Sequence, residues 1–286
     1  MDSMLIWRFY IGEHLNTMKV IILFSLFILI QNEVTAQNGN YAYVNGVKIY
    51  YETYGNGPPL VLLHPFSGSH KLWEQWKDSL SQDYLLITPD LRGHGNSTNP
   101  SNEFRHDDSA KDIYALMDKL DIKKFRAIGV SSGAGILIHM ATMDSTRINS
   151  MILVGASSFI SEQEREHVKN QTFESYSEED LSWLREHSSK GDDQIKMLID
   201  QFRSFAYSYD DMNFTPPYLS LIKCPTLIIN GDDDEYYPVE IPVDMYKAIP
   251  NSRLWIIPKG GHLPIWQKLW SDQFLKVSKQ FLVNKL

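Results

Sequence analysis

The sequence predicts an α/β protein with a mostly parallel sheet, and two patterns support this fold class. Short unbroken apolar runs recur along the chain and alternate with stretches whose apolar residues repeat at helical spacing. Strands that are buried on both faces give such runs, and their alternation with helices is typical of βαβ units. The 286 residues, 43% of them hydrophobic, are enough for one domain with a large core.

Eight strands are predicted in chain order. Asn45-Gly46 joins the first two, because both positions of a tight hairpin turn require positive φ. The predicted strands cover residues 41–44, 47–52, 60–63, 84–88, 125–130, 151–154, 226–229 and 254–257. Apolar residues recur at helical spacing between the fourth and fifth strands, at Ala110, Ile113, Leu116, Met117 and Leu120.

Residues 158–221 interrupt this alternation. The segment contains no strong strand pattern, is charged and aromatic, and has mostly helical periodicity. We predict a helical cap inserted after the sixth strand. A solvated helical excursion with no role in binding is the alternative, and apolar side chains such as Trp183 and Phe202 favour a lid.

Charge and cysteine content narrow the class of partner. The formal net charge is −8, and lysines and arginines are scattered among acidic residues. Nucleic acids and anionic membrane surfaces require a basic stripe, so we expect neither as a partner. Cys224 is the single cysteine, which rules out an intrachain disulfide. The sequence has no Cys/His cluster, so it does not predict a structural zinc site.

The first 36 residues have the features of a secretory signal peptide. Lys19 precedes the apolar run 20–30, and the small residues Val34 and Ala36 predict cleavage after Ala36. Met18 is a better start than the first residue. We therefore expect an exported, periplasmic or secreted protein of residues 37–286, with no stable membrane insertion after signal removal. The alternative is an uncleaved anchor, although the run is shorter than the roughly 20 residues that span a bilayer. A mature N-terminus near Gln37 would test the prediction.

Residues 129–133 read GVSSG and fit the pattern G-x-S-x-G. A nucleophilic serine on a sharp strand-to-helix turn needs small residues two positions to either side, because the backbones approach closely there. The preceding FRAIGV is strand-like and the following AGILIHMA is helix-like. Ser131 is the predicted nucleophile, since Ser132 lacks glycines at the required offsets.

With this motif, the sequence resembles the α/β-hydrolase superfamily from about residue 41 to residue 281. Four further segments match the family in the right order. They are 62–68 (LLHPFSG, like the family's H-G-x loop), 89–97 (PDLRGHGNS, like D-x-R-G-x-G-x-S), 231–234 (GDDD, the acid loop) and 260–262 (GGH, the histidine). The order Ser, Asp, His is the order that the fold uses.

The resemblance implies the α/β-hydrolase fold, with an eight-stranded, mostly parallel sheet flanked by helices. It implies Ser131 as nucleophile, His262 as general base and Asp234 as the acid that orients the imidazole. It also implies an oxyanion hole made of the backbone N–H groups of Phe66 and Ser132, and no metal or organic cofactor. The expected partner is a small-molecule substrate, and the sequence does not indicate the oligomeric state.

Some points stay open at this stage. The family usually has glycine where this chain has Pro65, which lacks an N–H and fixes φ, so the loop path and a cis His64–Pro65 bond are undecided. Asp232 or Asp233 could be the catalytic acid instead of Asp234.

The predicted function is that of a serine hydrolase acting on a carboxylic ester or related acyl bond of a small to medium substrate. A lactonase, a carbon–carbon bond hydrolase and a proline-type aminopeptidase on the same triad are alternatives, because fold does not choose among them. An aminopeptidase would need acidic cap residues, for which Glu162, Glu164, Glu179 and Asp180 are available. A non-catalytic binding protein on this scaffold is a further alternative, against which the complete set of three residues argues.

Overall fold

The computed structural model describes residues 39–283. The predicted signal peptide and its cleavage site lie outside these residues and stay predictions. Eight strands form one sheet. They are β1 (Asn40–Val44), β2 (Val47–Tyr54), β3 (Pro59–Leu63), β4 (Leu85–Pro89), β5 (Phe125–Val130), β6 (Ile148–Val154), β7 (Thr226–Gly231) and β8 (Ser252–Ile257).

The sheet order is β1-β2-β4-β3-β5-β6-β7-β8. The β1–β2 and β2–β4 pairs are antiparallel, and every pair from β4 to β8 is parallel. The predicted eight-stranded, mostly parallel sheet is therefore confirmed. Asn45 (φ 45°) and Gly46 (φ 80°) form the turn between β1 and β2, both with the positive φ that the hairpin requires.

Helices cover both faces of the sheet. They are α1 (Glu74–Ser81), α2 (His106–Lys119), α3 (Ser132–Met143), α4 (Glu162–Val168), α5 (Glu178–His187), α6 (Asp192–Ser204), α7 (Pro216–Leu219), α8 (Glu240–Ala248) and α9 (Lys268–Leu282). Val61 and Leu63 of β3 pack on the side of α2, α3 and α8, whereas Leu60 and Leu62 pack on the side of α1 and α9. Alternate residues point to opposite faces, so a strand covered on both sides is apolar throughout. Between residues 39 and 283, no helix is long and apolar enough to cross a membrane.

The chain between β6 and β7 folds into α4, α5, α6 and α7, with two short 3₁₀ turns. Leu181 and Leu184 of α5 and Ile195 and Ile199 of α6 form a small apolar cluster of their own. The helical pattern in this part of the sequence is thus present in the structure.

Candidate active site

Ser131 lies at the sharp turn between β5 and α3. Its φ of 52° and ψ of −118° are unusual for a residue with a side chain, and such a conformation is unfavourable by about 1–3 kcal/mol. A Cβ atom on Gly133 would collide with the backbone carbonyl of Leu63, and one on Gly129 would collide with the backbone of Gly133. The two glycines therefore allow the backbones to approach as the G-x-S-x-G pattern requires.

Ser131, His262 and Asp234 form a continuous hydrogen-bonded chain. The Ser131 hydroxyl lies 2.9 Å from His262 Nε2. On the other side of the ring, Nδ1 lies 3.1 Å and 3.0 Å from the two carboxylate oxygens of Asp234. A carboxylate can only accept, so Nδ1–H donates to it and Nε2 is left to accept from the serine. This arrangement suits the transfer of the serine proton to the imidazole.

The three consecutive aspartates of the acid loop differ in their burial. Asp232 and Asp233 are exposed, whereas Asp234 is buried against the imidazole. The backbone N–H groups of Tyr236 and Tyr237 donate to Asp234 Oδ1 over 2.8 Å and 3.1 Å. These two donors stabilise the ionised carboxylate and hold it in place.

The imidazole of His262 is held on two further sides. Its backbone N–H donates to Glu235 Oε2 over 2.9 Å. The rings of Tyr236 and Tyr237 pack against it, with centroid distances of 4.7 Å and 5.1 Å. The ring orientation is therefore set by contacts beyond the hydrogen bond to the carboxylate.

The loop after β3 accommodates Pro65 without a cis bond, since the His64–Pro65 peptide is trans. The Pro65 carbonyl accepts from the Gly68 N–H over 3.1 Å, closing a turn in which Ser67 has a φ of 61°. His64 Nδ1 donates to the same carbonyl, and Nε2 accepts from the Leu91 N–H over 3.0 Å. Burial lowers the pKa of His64 to about 4, so the ring is neutral, and its two hydrogen bonds hold the loop in place.

The two amides predicted for the oxyanion hole are free to act. Within residues 39–283, neither the Phe66 N–H nor the Ser132 N–H donates a hydrogen bond to the protein. Ser132 is the first residue of α3, where unpaired N–H groups and the helix dipole favour negative charge. Neither of these two predicted donors is on residue 65, so the proline in place of the family's glycine leaves both in place.

A cavity of about 360 Å³ opens beside the Ser131 hydroxyl. The helical segment between β6 and β7 supplies part of its wall, and its role as a cap stays a prediction. The lining residues are Pro65, Phe66, Ser67, Ser131, Glu164, Tyr176, Asp180, Trp183, Leu184, Phe202, Glu235, Tyr236, Tyr237, His262 and Leu263. Six are aromatic and three carry a carboxyl group, whereas no lysine or arginine of the described chain is among them.

Comparison with known proteins decides the family. The sequence profile of the α/β hydrolase fold matches residues 58–186 and 161–269. This chain belongs to the α/β-hydrolase family. Human serine hydrolase BPHL is 28% identical over 255 residues, which cover 84% of each chain. A non-heme chloroperoxidase of Kitasatospora aureofaciens is 25% identical over 250 residues, covering 76% of this chain and 90% of the relative.

A solved structure has the same fold. The meta-cleavage product hydrolase of Pseudomonas fluorescens superimposes with a TM-score of 0.68 at 24% identity, covering 87% of this chain and 98% of the other. At this identity the likeness concerns the fold alone. The family and the fold that the sequence predicts are confirmed, and the catalytic roles of the individual residues stay predictions.

Glu164 is the residue of this hydrolase's site that the sequence did not single out from its neighbours. Ser161 caps α4 by accepting from the Glu164 N–H over 2.9 Å, and its hydroxyl donates to the Tyr236 carbonyl over 2.7 Å. Gln163 donates to the Glu235 carbonyl over 2.8 Å. These bonds fix the start of α4 on the acid loop and turn Glu164 into the cavity.

The surroundings of the Glu164 carboxyl favour its neutral form. Only 5% of the residue is exposed, and Oε2 has no hydrogen-bond partner among the described residues. Burial raises its pKa to about 7, against the smaller lowering effects of His262, His106, Tyr237 and Arg165. A carboxyl group that titrates near neutral pH in a cleft is typical of a functional site.

We expect Glu164→Gln to stabilise the hydrolase above neutral pH. Below about pH 4.5 the carboxyl group is protonated in both the folded and the unfolded chain, so its ionisation does not change the free energy of unfolding. As pH rises from 4.5 to about 7, the unfolded chain binds fewer protons than the folded one, so the free energy of unfolding falls. The loss is complete above about pH 7 and amounts to roughly 3 kcal/mol.

Thermal unfolding at about pH 8 and pH 4 checks this, with the exposed Glu162→Gln on the same helix as a matched control. The expected gain for Glu164→Gln at the higher pH is roughly 5–10 °C in Tm. An equal change at both pH values would contradict the argument.

A second buried polar chain reaches Ser132 from the other side. His106, the first residue of α2, donates through its backbone N–H to Asp211 Oδ2, and its Nδ1 lies 2.8 Å from the same oxygen. Its Nε2 lies 3.2 Å from the Ser132 hydroxyl. Burial opposes ionisation of Asp211, but the hydrogen bonds and charge of His106 outweigh it and lower the pKa. This series of hydrogen bonds links the segment before β7 to the start of α3. No sequence pattern had indicated His106 or Asp211.

The loop after β4, which matches the family pattern, is held in place by buried polar contacts. Asp90 is fully buried and accepts from the His70 N–H over 2.7 Å. Arg92 pairs with Asp112 over 2.7 Å. Burial lowers the pKa of His94 to about 3, so this ring is neutral. None of these side chains contacts the Ser131 hydroxyl, in agreement with a structural role.

Proposed function

We propose that this α/β hydrolase cleaves a carboxylic ester or related acyl bond through an acyl-enzyme on Ser131. The observation that carries the proposal is the chain of contacts from the Ser131 hydroxyl through His262 to Asp234, at 2.9 Å and 3.0 Å. A strained nucleophile, an oriented base and free backbone donors at one cavity form a complete set for acyl transfer.

In the first half-reaction, the Ser131 oxygen attacks the substrate carbonyl carbon while His262 Nε2 takes its proton. The carbonyl oxygen becomes an oxyanion, for which the Phe66 and Ser132 N–H groups are the donors. Asp234 stabilises the imidazolium that forms. When the tetrahedral intermediate collapses, the bond to the leaving group breaks and His262 returns the proton to that group. The acyl group is then bonded to Ser131.

Water completes the cycle by the same steps. His262 takes a proton from water as the oxygen attacks the acyl carbon, and the bond to Ser131 breaks as the serine regains its proton. The acid product then leaves. A cavity of about 360 Å³ lies near the lower end of the size range of small-molecule pockets, so it fits a small to medium substrate.

A fluorophosphonate probe tests the serine chemistry directly. We expect stoichiometric labelling with loss of esterase activity, and peptide mass spectrometry should locate the adduct on Ser131. Absence of labelling, or an adduct on another serine, would overturn the proposal and favour a binding protein on this scaffold.

The bond type is tested with a panel of p-nitrophenyl esters, lactones and proline arylamides. We expect the esters to have the highest kcat/KM. A clear preference for lactones or proline arylamides would replace the ester assignment while keeping the triad, because all of these reactions use the same nucleophile and base.

A further inference from the structure

The peptide group between Ser131 and Ser132 carries one of the two N–H donors predicted for the oxyanion hole. Its orientation follows from the ψ of Ser131, which is −118° in the strained elbow. On its carbonyl side, the group accepts from the Gly135 N–H over 3.0 Å. Strained backbone persists only where its surroundings hold it, so contacts on Ser132 bear directly on the direction of this N–H.

The Ser132 side chain makes such a contact with the start of α2. Its hydroxyl lies 3.2 Å from Nε2 of His106, and only 6% of Ser132 and 4% of His106 are exposed. A Cβ atom on Gly135 would lie 3.1 Å from Cδ2 of the same ring, so the imidazole packs directly over the first turn of α3. His106 therefore lies against the residues that hold the peptide group on its N–H side and on its carbonyl side.

The imidazole of His106 is itself held by Asp211. Nδ1 lies 2.8 Å from Asp211 Oδ2, which also accepts from the His106 backbone N–H over 2.8 Å. The Asp107 N–H donates to Oδ1 of the same carboxylate over 3.2 Å. Because a carboxylate only accepts, Nδ1–H donates to Asp211, and in the neutral ring Nε2 accepts from the Ser132 hydroxyl. The orientation of the ring and the direction of its bond to Ser132 are thus both defined.

Apolar packing extends this arrangement to the second predicted donor. The His106 ring lies against the rings of Phe104 and Phe205, with centroid distances of 5.3 Å and 5.2 Å. Both of these rings contact the ring of Phe66, at 5.0 Å and 5.2 Å. The two residues that supply the predicted N–H donors therefore rest against one buried cluster around His106.

We propose that His106, oriented by Asp211, is a positioning residue for the oxyanion hole and holds the Ser132 N–H in the direction that the oxyanion requires. This inference rests on the proposed acyl-transfer function. His106 is not among the described residues that line the cavity, so it acts through Ser132. An N–H that already points to where negative charge develops stabilises the transition state without reorganisation.

Two variants remove the contact from opposite ends. Ser132→Ala deletes the hydroxyl and keeps the backbone N–H, whereas His106→Phe deletes Nε2 and keeps an aromatic ring in the cluster. We expect each to lower kcat for p-nitrophenyl butanoate by about 10- to 100-fold, with KM within about three-fold of wild type. His106→Gln should keep most of kcat, because its amide oxygen can still accept from the Ser132 hydroxyl.

A transition-state analogue separates this role from a structural one. With 1,1,1-trifluorooctan-2-one, the Ser131 oxygen bonds to the carbonyl carbon, the carbon–oxygen π bond breaks, His262 takes the serine proton, and the carbonyl oxygen becomes an oxyanion. We expect Ki to rise in both variants by about the factor by which kcat/KM falls. Rates are divided by the number of active sites, counted at the end point of fluorophosphonate labelling, so a loss of folded protein alone would change neither value.

A double variant tests whether the two side chains act together. If His106 acts through Ser132, then adding His106→Phe to Ser132→Ala should lower kcat by no more than about three-fold further. Ser101→Ala, at an exposed position, is the matched serine control and should keep the wild-type kcat and Ki.

The proposal is overturned if folded Ser132→Ala keeps the wild-type Ki, a result that does not depend on whether His106→Phe folds. It is also overturned if the losses of the two single variants multiply in the double variant. Failure of the proposed function is a different result, because then the wild-type enzyme neither hydrolyses the ester nor is labelled on Ser131 by the fluorophosphonate.

Discussion

Ser131→Ala is expected to lower kcat for ester hydrolysis by about 10⁴- to 10⁶-fold. The hydroxyl that would attack the carbonyl, 2.9 Å from His262 Nε2, is lost, and no acyl-enzyme can form. The cavity wall and the two backbone N–H donors remain, so KM should change by only a few-fold. A small rate above that in water should persist for the same reason.

The measurement is steady-state kinetics on a p-nitrophenyl ester, with Tm as a check that the variant is folded. Ser101→Ala, at an exposed position in the loop after β4, is the matched control and should retain wild-type kcat. Substantial activity in folded Ser131→Ala would show that another group is the nucleophile.

Asp234→Asn is expected to lower kcat by about 10⁴-fold with little change in structure. The carboxylate now accepts from His262 Nδ1–H, at 3.0 Å and 3.1 Å. An asparagine in the same place can donate its amide N–H to Nδ1, which favours the tautomer with the proton on Nε2. That nitrogen then cannot accept the proton of Ser131, although every atom is still in position.

The acid loop provides its own controls for this prediction. Asp232→Asn and Asp233→Asn remove the same charge at exposed positions of the same loop, and both should keep kcat within about three-fold of wild type. If Asp233→Asn lost as much activity as Asp234→Asn, loop charge would explain the effect and the orienting role would be wrong.

Most strands could be predicted because a buried parallel strand is apolar on both faces. The run 125–130 matches β5 at both ends, since it stops where the elbow begins. β6 starts at Ile148, earlier than the predicted residue 151, because the polar Asn149 and Ser150 interrupt the apolar run. Backbone pairing continues past such residues, but hydrophobicity does not reveal it.

Other features depended on contacts between distant parts of the chain. Three adjacent aspartates look alike in sequence, and only the folded loop shows that Asp234 is the one buried against the imidazole. Glu164 belongs to a helix rich in charged residues, and such a sequence is typical of a solvent-exposed helix. Its burial follows from the bonds that Ser161 and Gln163 make to the acid loop.

Local patterns alone predicted the α/β class, the strands along the chain and the elbow serine, whereas Asp234 and His262 were predicted from the resemblance to the α/β-hydrolase superfamily. The class, the strands and the serine follow from periodicity and from backbone geometry that only certain residues tolerate, and both are written locally. Four features are visible only in the folded chain: the burial of Asp234 against the imidazole, the trans His64–Pro65 bond, the link from His106 to Ser132 and the unpaired Oε2 of Glu164. Each of these features depends on contacts between residues that are far apart in the sequence, and on how deeply those contacts bury the groups away from water.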